Sequence, residues 1–194
     1  MNESILSRER ILETAEDVLR RYGPTKATVL DVARALGVSH GSVYRHFASK
    51  AALRDEVVRR WLDATMPPLA AIAAENGPAV ERLRRWLDQL IATKRGRAAG
   101  DADLFAAYLT LAGDSGAVVR DHIEQLTGQL AVIVEQGAVC GEFSSRNARE
   151  TARALLNATA RFHNPVHARG WQDPEIDAEF EAVWRLLLSG IQAR

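Results

Sequence analysis

Apolar residues return every three or four positions along most of this chain, and breakers cut the pattern into about nine segments that predict α-helices. Ile11, Ala15, Val18, Leu19 and Tyr22 mark the first, from about Ser7 to Tyr22, with Gly23-Pro24 as its stop. Thr28 opens a short second helix. Asp31 three residues on makes Thr-x-x-Asp, close to a capping box, and Gly37 ends the segment. Ser39 caps another short helix, His40 to Phe47. Ser49 caps the next, from Lys50 to about Thr65, with Leu53, Val57 and Trp61 on one face. Pro67-Pro68 ends or kinks that helix, since proline lacks the amide donor and crowds the preceding turn.

Asn76-Gly77-Pro78 is the clearest punctuation in the chain. After it, Val80, Leu83, Leu87, Leu90 and Ile91 predict an amphipathic helix to about Lys94, and Arg95 to Gly100 reads as a loop. Asp101 caps a helix holding Leu104, Phe105, Tyr108 and Leu111. A turn over residues 113–116 leads into a long helix to about Gln136. Ser145 or Asn147 caps the eighth helix, His163 to Asp173 reads as a loop, and Glu175 to Ile191 forms the last helix with a wide apolar stripe. No segment alternates apolar and polar residues for long, and 32 Ala with 21 Leu favour helix. The expected fold class is all-α.

Composition narrows the function. One cysteine, Cys140, excludes a disulfide framework and a Cys-rich zinc module. No apolar run approaches the roughly 18 residues of a membrane span, and the first residues lack the apolar stretch of a signal peptide. The expectation is a cytoplasmic protein with no membrane partner. The net charge of zero over 194 residues argues against a uniformly basic nucleic-acid coat. That zero is a sum of unlike parts: residues 1–60 hold 11 basic and 8 acidic side chains, and residues 61–194 hold 14 and 17.

Thr28 to Lys50 is the informative stretch. Two short helices joined by a tight turn at Gly37-Val38-Ser39 form a helix-turn-helix pattern. Val29, Val32, Ala33 and Leu36 pack the first helix, and Val43 and Phe47 anchor the second. His40, Gly41, Ser42, Tyr44, Arg45 and His46 are left on its other faces. So many polar groups on so short a helix suit phosphate and base-edge contacts in a major groove.

From Arg10 to about Leu62 the sequence resembles the tetracycline-repressor (TetR) family. The resemblance rests on Ile11-Leu12 with Ala15, Thr28 to Ala33, Leu36 to Ser39, Val43 to Phe47, and Ser49 to Leu53. It implies a three-helix DNA-binding domain in residues 1–50 and a larger helical ligand-binding and dimerisation domain in residues 51–194. By the same resemblance, Tyr44 and Lys50 contact phosphates, as does Thr28 at a helix N-terminus. Ser42 reaches a phosphate or a base, His40 reads a base, and Arg45 meets a phosphate or a guanine edge. Gly41 permits close backbone approach, and Ser39 belongs to the same contact set. Leu30 departs from the family, where a basic or polar residue is common, so the second helix adds little base readout. Tyr44 and His46 also suit packing under the recognition helix.

A single helix-turn-helix reads few base pairs, so a homodimer on a palindromic double-stranded operator is expected. Leu155, Thr159 and Phe162 on the eighth helix, with Phe180, Trp184, Leu187 and Leu188 on the last, fit a four-helix dimer interface or the packing of one subunit. The resemblance implies a small-molecule effector in the middle helices. Trp61, Trp86, Phe105, Tyr108 and His122 are the candidate liners, and Leu90, Leu126 and Gln89 are further ones. Each also suits ordinary core. No cofactor is expected. His163-x-x-x-His167 has metal-ligand spacing, but Pro165 breaks the helix that would align the rings, so no metal site is expected. Glu142 near Cys140 argues against a stabilised thiolate. With no phosphate loop, nucleophile elbow or paired acids, an enzyme is not expected. The sequence therefore predicts a regulator, a repressor released by its effector. The rival is a helical ligand-binding or scaffold protein whose helix-turn-helix does not bind DNA.

Overall fold

A computed structural model describes residues 6–193. Among these lie eleven α-helices and one 3-10 helix. The chain divides into two compact units, one made of residues 1–63 and 101–120, the other of residues 64–100 and 121–194.

The first unit begins with α1 (Arg8–Lys26), whose Ser7 side chain accepts the Arg10 N–H at 3.2 Å. The predicted stop at Gly23-Pro24 is a kink: Gly23 takes φ of 73°, and helical turns resume to Lys26. Only glycine enters that left-handed region at little cost. Next come α2 (Val29–Leu36), α3 (His40–Tyr44), α4 (Lys50–Asp63) and α7 (Ala102–Asp114). α1 packs on α2, α4 and α7. Ile11, Ala15, Val18, Val32, Ala33, Val43, Phe47, Val57 and Tyr108 form their shared core.

The second unit is built on α6 (Ala79–Gly100) and on α8 (Gly116–Val139) from residue 121 onward. It adds α5 (Met66–Ala74), α9 (Ala148–Ala158), α10 (Ala160–His163), the 3-10 helix Pro165–Gly170 and α11 (Ile176–Ile191). Leu83, Trp86, Leu87, Leu90, Leu130, Ile133 and Leu155 are among the buried residues of its core. The predicted loop at Arg95 to Gly100 is instead the last turns of α6. Gly96 is a lone helix-weakening residue there, costing about 1 kcal/mol, and the arginines and alanines around it favour helix. The break falls one residue later, where the Asp101 carboxylate accepts the Leu104 N–H at 2.9 Å. Asn147 rather than Ser145 caps α9, accepting from Glu150 N–H at 3.1 Å. Pro67 and Pro68 fall in the first turn of α5, where the missing amide donors cost nothing.

Glu142 has a structural task that its place beside Cys140 did not suggest. Its carboxylate accepts the backbone N–H groups of Ala79 at 2.9 Å and Val80 at 3.1 Å, closing the N-terminus of α6. The chain end is tied nearby: Ser144 N–H donates to Ile191 O at 2.7 Å and Ala193 N–H to Glu142 O at 2.9 Å.

Candidate nucleic-acid interface

The helix-turn-helix is set by three local devices. At α2, Thr28 and Asp31 form a complete capping box: Asp31 N–H donates to Thr28 Oγ1 at 3.2 Å, and Thr28 N–H donates to Asp31 Oδ2 at 3.1 Å. The Thr28 hydroxyl also donates to Asp31 Oδ2 at 2.6 Å. These bonds hold the Asp31 carboxyl below its usual range, the Thr28 hydroxyl bond being the main cause. At the turn, Gly37 takes φ of 68° and its N–H caps the end of α2. At α3, Ser39 Oγ accepts the Ser42 N–H at 3.1 Å. Val43 and Phe47 are buried beneath α3, at 1% and 3% exposure, and fix which side of the helix faces solvent.

What remains outside is the set the sequence points to. Ser39, His40, Gly41, Arg45 and Lys50 are exposed, and Ser42 and Tyr44 are half-buried. The His40 ring stands edge-on to Tyr44 with centroids 4.6 Å apart. Arg45 donates to Ser42 Oγ at 3.1 Å, and the Ser39 and Ser42 hydroxyls are 2.8 Å apart. Tyr44 packs against the core of the unit and His46 is half-buried. Leu30 lies open on α2, 52% exposed. Thr28 and Lys50 line one small cleft of about 70 Å³ with Pro24, Leu53 and Leu111. The N-termini of α2 and α4 thus meet one concavity, the latter capped by Ser49 accepting the Ala52 N–H at 3.0 Å. The other walls of the cleft are mostly apolar, among them Ala15, Val18, Leu19, Val29 and Val57.

The five predicted ligand liners are divided between the two units. In the first unit, Trp61 stacks on Tyr108 at 4.7 Å and meets Phe105 edge-on at 5.9 Å. In the second unit, Trp86 is fully buried and its indole N–H donates to Gln129 Oε1 at 3.1 Å. His122 is also there, 6% exposed, with Nε2 3.4 Å from Lys94 Nζ. Burial chiefly, then the positive charges of Lys94 and Arg97, brings the His122 pKa down to about 3. Burial, with Arg97 second, brings Lys94 to about 8. Lys94 was missed because a lysine on an apolar stripe reads as the helix's polar end. Its spacing from Leu87, Leu90 and Ile91 was the signal that it points inward. An open groove of about 520 Å³ runs over Met66, Ala70, Ala74, Gln125, Gly128 and Val132, and its walls include none of the five predicted liners.

The residues expected at a dimer interface divide by burial. Leu155, Thr159, Phe162, Phe180 and Trp184 are buried within the single chain, where Phe162 meets Phe180 edge-on at 5.1 Å. Leu187 and Leu188 are half-buried, and Leu186 between them and Trp184 is 72% exposed. His163 is buried, its Nε2 3.2 Å from both Leu156 O and Thr159 Oγ1, while His167 is exposed on the 3-10 helix. Cys140 is exposed. Among the described residues no helix is long and apolar enough to cross a membrane.

An all-helical chain with a helix-turn-helix whose second helix carries exposed polar residues fits the class of helix-turn-helix DNA-binding regulators. The family model for bacterial regulatory proteins of the tetR family matches residues 11–57, and that for the tetracyclin repressor-like C-terminal domain matches residues 79–184. The chain belongs to the TetR family. Over 77 residues it is 35% identical to the HTH-type transcriptional repressor KstR2 of Mycobacterium tuberculosis, a match that spans 40% of this chain and 38% of that repressor. Over 130 residues it is 28% identical to the nucleoid occlusion factor SlmA of Vibrio atlanticus, spanning 66% of this chain and 65% of that one. The fold is shared with a TetR-family transcriptional regulator from Mesorhizobium loti, at a TM-score of 0.74 and 17% identity over 96% of each chain.

Proposed function

We propose that this protein is a homodimeric repressor that binds a palindromic operator and is released by a small molecule held in its second unit. One observation carries the DNA-binding part. The anchors Val43 and Phe47 turn α3 so that His40, Gly41 and Arg45 are exposed, and Thr28 and Lys50 at the starts of α2 and α4 are exposed with them. In this reading Lys50 and the N-termini of α2 and α4 hold backbone phosphates, and Thr28 adds its hydroxyl where phosphate competes with Asp31. His40 reads a base edge. Arg45 exchanges its Ser42 bond for a phosphate or a guanine. Gly41 keeps the helix close to the groove, and Ser39 holds the start of α3 through its cap.

Effector release works by population shift: a ligand that prefers one arrangement of the helices draws the protein toward it. α4 carries both Lys50 and Trp61 on one continuous helix, so movement at its far end reaches the DNA contact. The dimer supplies the second recognition helix, one helical turn of DNA or more from the first. The KstR2 match supports the repressor reading, since that relative is a transcriptional repressor.

The direct test is a gel shift on the DNA upstream of the protein's own gene. Binding that falls with Lys50→Ala on every duplex, and that loses sequence preference with His40→Ala, is expected. A protein that shifts no specific fragment is instead a helical ligand-binding or scaffold protein.

A further inference from the structure

Gly128 stands inside α8 with open space beside it. A glycine within a helix lowers its stability, and close packing is the common reason for one. Gly137 in the same helix has that reason, since an added Cβ would meet the Phe143 ring and Ala79 Cβ. Nothing lies within 4 Å of a Cβ added at Gly128. Gly128 instead lines the groove of about 520 Å³ between α5 and α8, with Met66, Ala70, Ala74 and Val132. That volume falls within the roughly 300–1,000 Å³ of small-molecule sites. No charged side chain is among the lining residues.

One polar group of the lining has a fixed orientation. The indole N–H of Trp86, which is fully buried, donates to Gln129 Oε1 at 3.1 Å. Indole is a donor only, so the Gln129 oxygen must stay on Trp86. Turning the amide over would set a buried N–H against an –NH2 group. The oxygen is therefore spent inside the protein. What half-buried Gln129 has left for the groove it lines is its amide –NH2, which makes no other bond among the described residues. Gln125, also in the lining, is exposed and sets no such preference.

We propose that this groove binds an uncharged small molecule with an apolar body and a carbonyl oxygen, and that the oxygen accepts the Gln129 Nε2–H. Gln129 has only N–H to offer, so an acceptor is favoured over a donor at that point. A charged head would lose water there and find no counter-ion. The apolar walls and the bare backbone at Gly128 take the body of the ligand. The proposal rests on the reading that an effector binds in the second unit, and it names the place and the chemical class.

Calorimetric titration of the full chain without DNA, at pH 8, tests it. The probes are 2-decanone and δ-decalactone as neutral acceptors, with decanoate and decylamine as charged counterparts. At least one neutral probe is expected to saturate and to bind tenfold or more tighter than both charged ones. Gly128→Leu fills the groove and should weaken that binding tenfold or more, with no fall in the thermal midpoint. Gln129→Glu keeps an acceptor for Trp86 but removes the donor. It should weaken the neutral probe severalfold and bring in decylamine. If Gly128→Leu fails to give a cooperative melt, Gln129→Glu and the wild-type comparison decide. No saturable binding of either neutral probe, tighter wild-type binding of a charged one, or unchanged affinity in Gly128→Leu or Gln129→Glu overturns the proposal. So does a Gly128→Leu variant that sediments as monomer where the wild type is a dimer, since a second copy then fills the groove. Operator release is measured separately by gel shift. A neutral probe that binds but releases no DNA leaves the site standing and sinks its role in release, and release by a compound when no probe binds does the reverse.

Discussion

His122 and His163 each carry a stability consequence that follows from burial alone. Both have folded-state pKa values below the ordinary imidazole, about 3 and about 4, with burial as the leading cause. The unfolded chain protonates near 6.5 while the folded one resists, so stability is full above that pH and is lost as pH falls toward 4. Each ring should take away on the order of 2 kcal/mol between pH 7 and pH 5. Urea midpoints measured across that range check this, and His122→Gln should remove about half of the loss. A midpoint that stays level from pH 7 to pH 5 speaks against neutral buried rings. At this scale the sequence was least informative. Exposure of His40 and Arg45 was legible because Val43 and Phe47 stand four apart with polar residues between them. The burial of Lys94 was not read, because charge outweighed its place on the stripe. Trp61, Phe105 and Tyr108 were read as pocket liners together with Trp86 and His122, and nothing in the local pattern says which unit each belongs to.

Helix ends decide much of what happens at the scale of elements. The capping box at Thr28 and Asp31 gives α2 a fixed start, and Thr28→Val should cost about 1 kcal/mol of stability in a chemical melt. Thr28→Ser keeps the cap and should recover most of it. Gly37 holds the turn in a left-handed conformation, so Gly37→Ala should cost about 1 kcal/mol with no clash to explain it, since open space surrounds its added Cβ. Gly137 in α8 is the opposite case. Its backbone is helical, but a Cβ there would lie 2.8 Å from Ala79 Cβ and against the Phe143 ring. Gly137→Ala should cost on the order of 1–3 kcal/mol through overpacking, and unchanged thermal stability would show that the ring yields freely. Caps made by neighbours in sequence were legible: Thr28, Ser39, Ser49 and Asp101 all lie three residues before the amide they accept, as does Asn147, one of two candidates at α9. The cap on α6 was not, because Glu142 reaches it from more than 60 residues away. The end of α6 was misplaced for another reason. A lone glycine weakens a helix by an amount that tertiary packing overrides, so Gly96 gave a false stop.

Across the whole molecule, the even charge balance conceals a small basic excess in the reading head. Binding by one head should therefore be weak and salt-sensitive, and useful affinity should require two heads at a fixed spacing. Leu186 is 72% exposed on α11, while Leu187 and Leu188 beside it are half-buried against the core of the second unit. Leu186→Glu should shift the protein toward monomer in sedimentation and weaken operator binding in parallel, while far-ultraviolet circular dichroism stays unchanged. The all-helical fold was legible because 3.6-residue periodicity runs through the chain with few interruptions. The make-up of the two compact units was not, because residues 101–120 join the first unit after a long excursion through the second. No local pattern encodes such a return.

Selection of bound duplexes from a random-sequence pool tests the central claim most directly. The wild-type protein should enrich an inverted repeat with two half-sites about one helical turn or more apart. His40→Ala should blur the same base position in both halves while leaving the rest, and Lys50→Ala should lower yield without changing the sequence. Recovery of no common sequence, or of one identical sequence by wild type and His40→Ala, would contradict the assignment of α3 as the element that reads DNA.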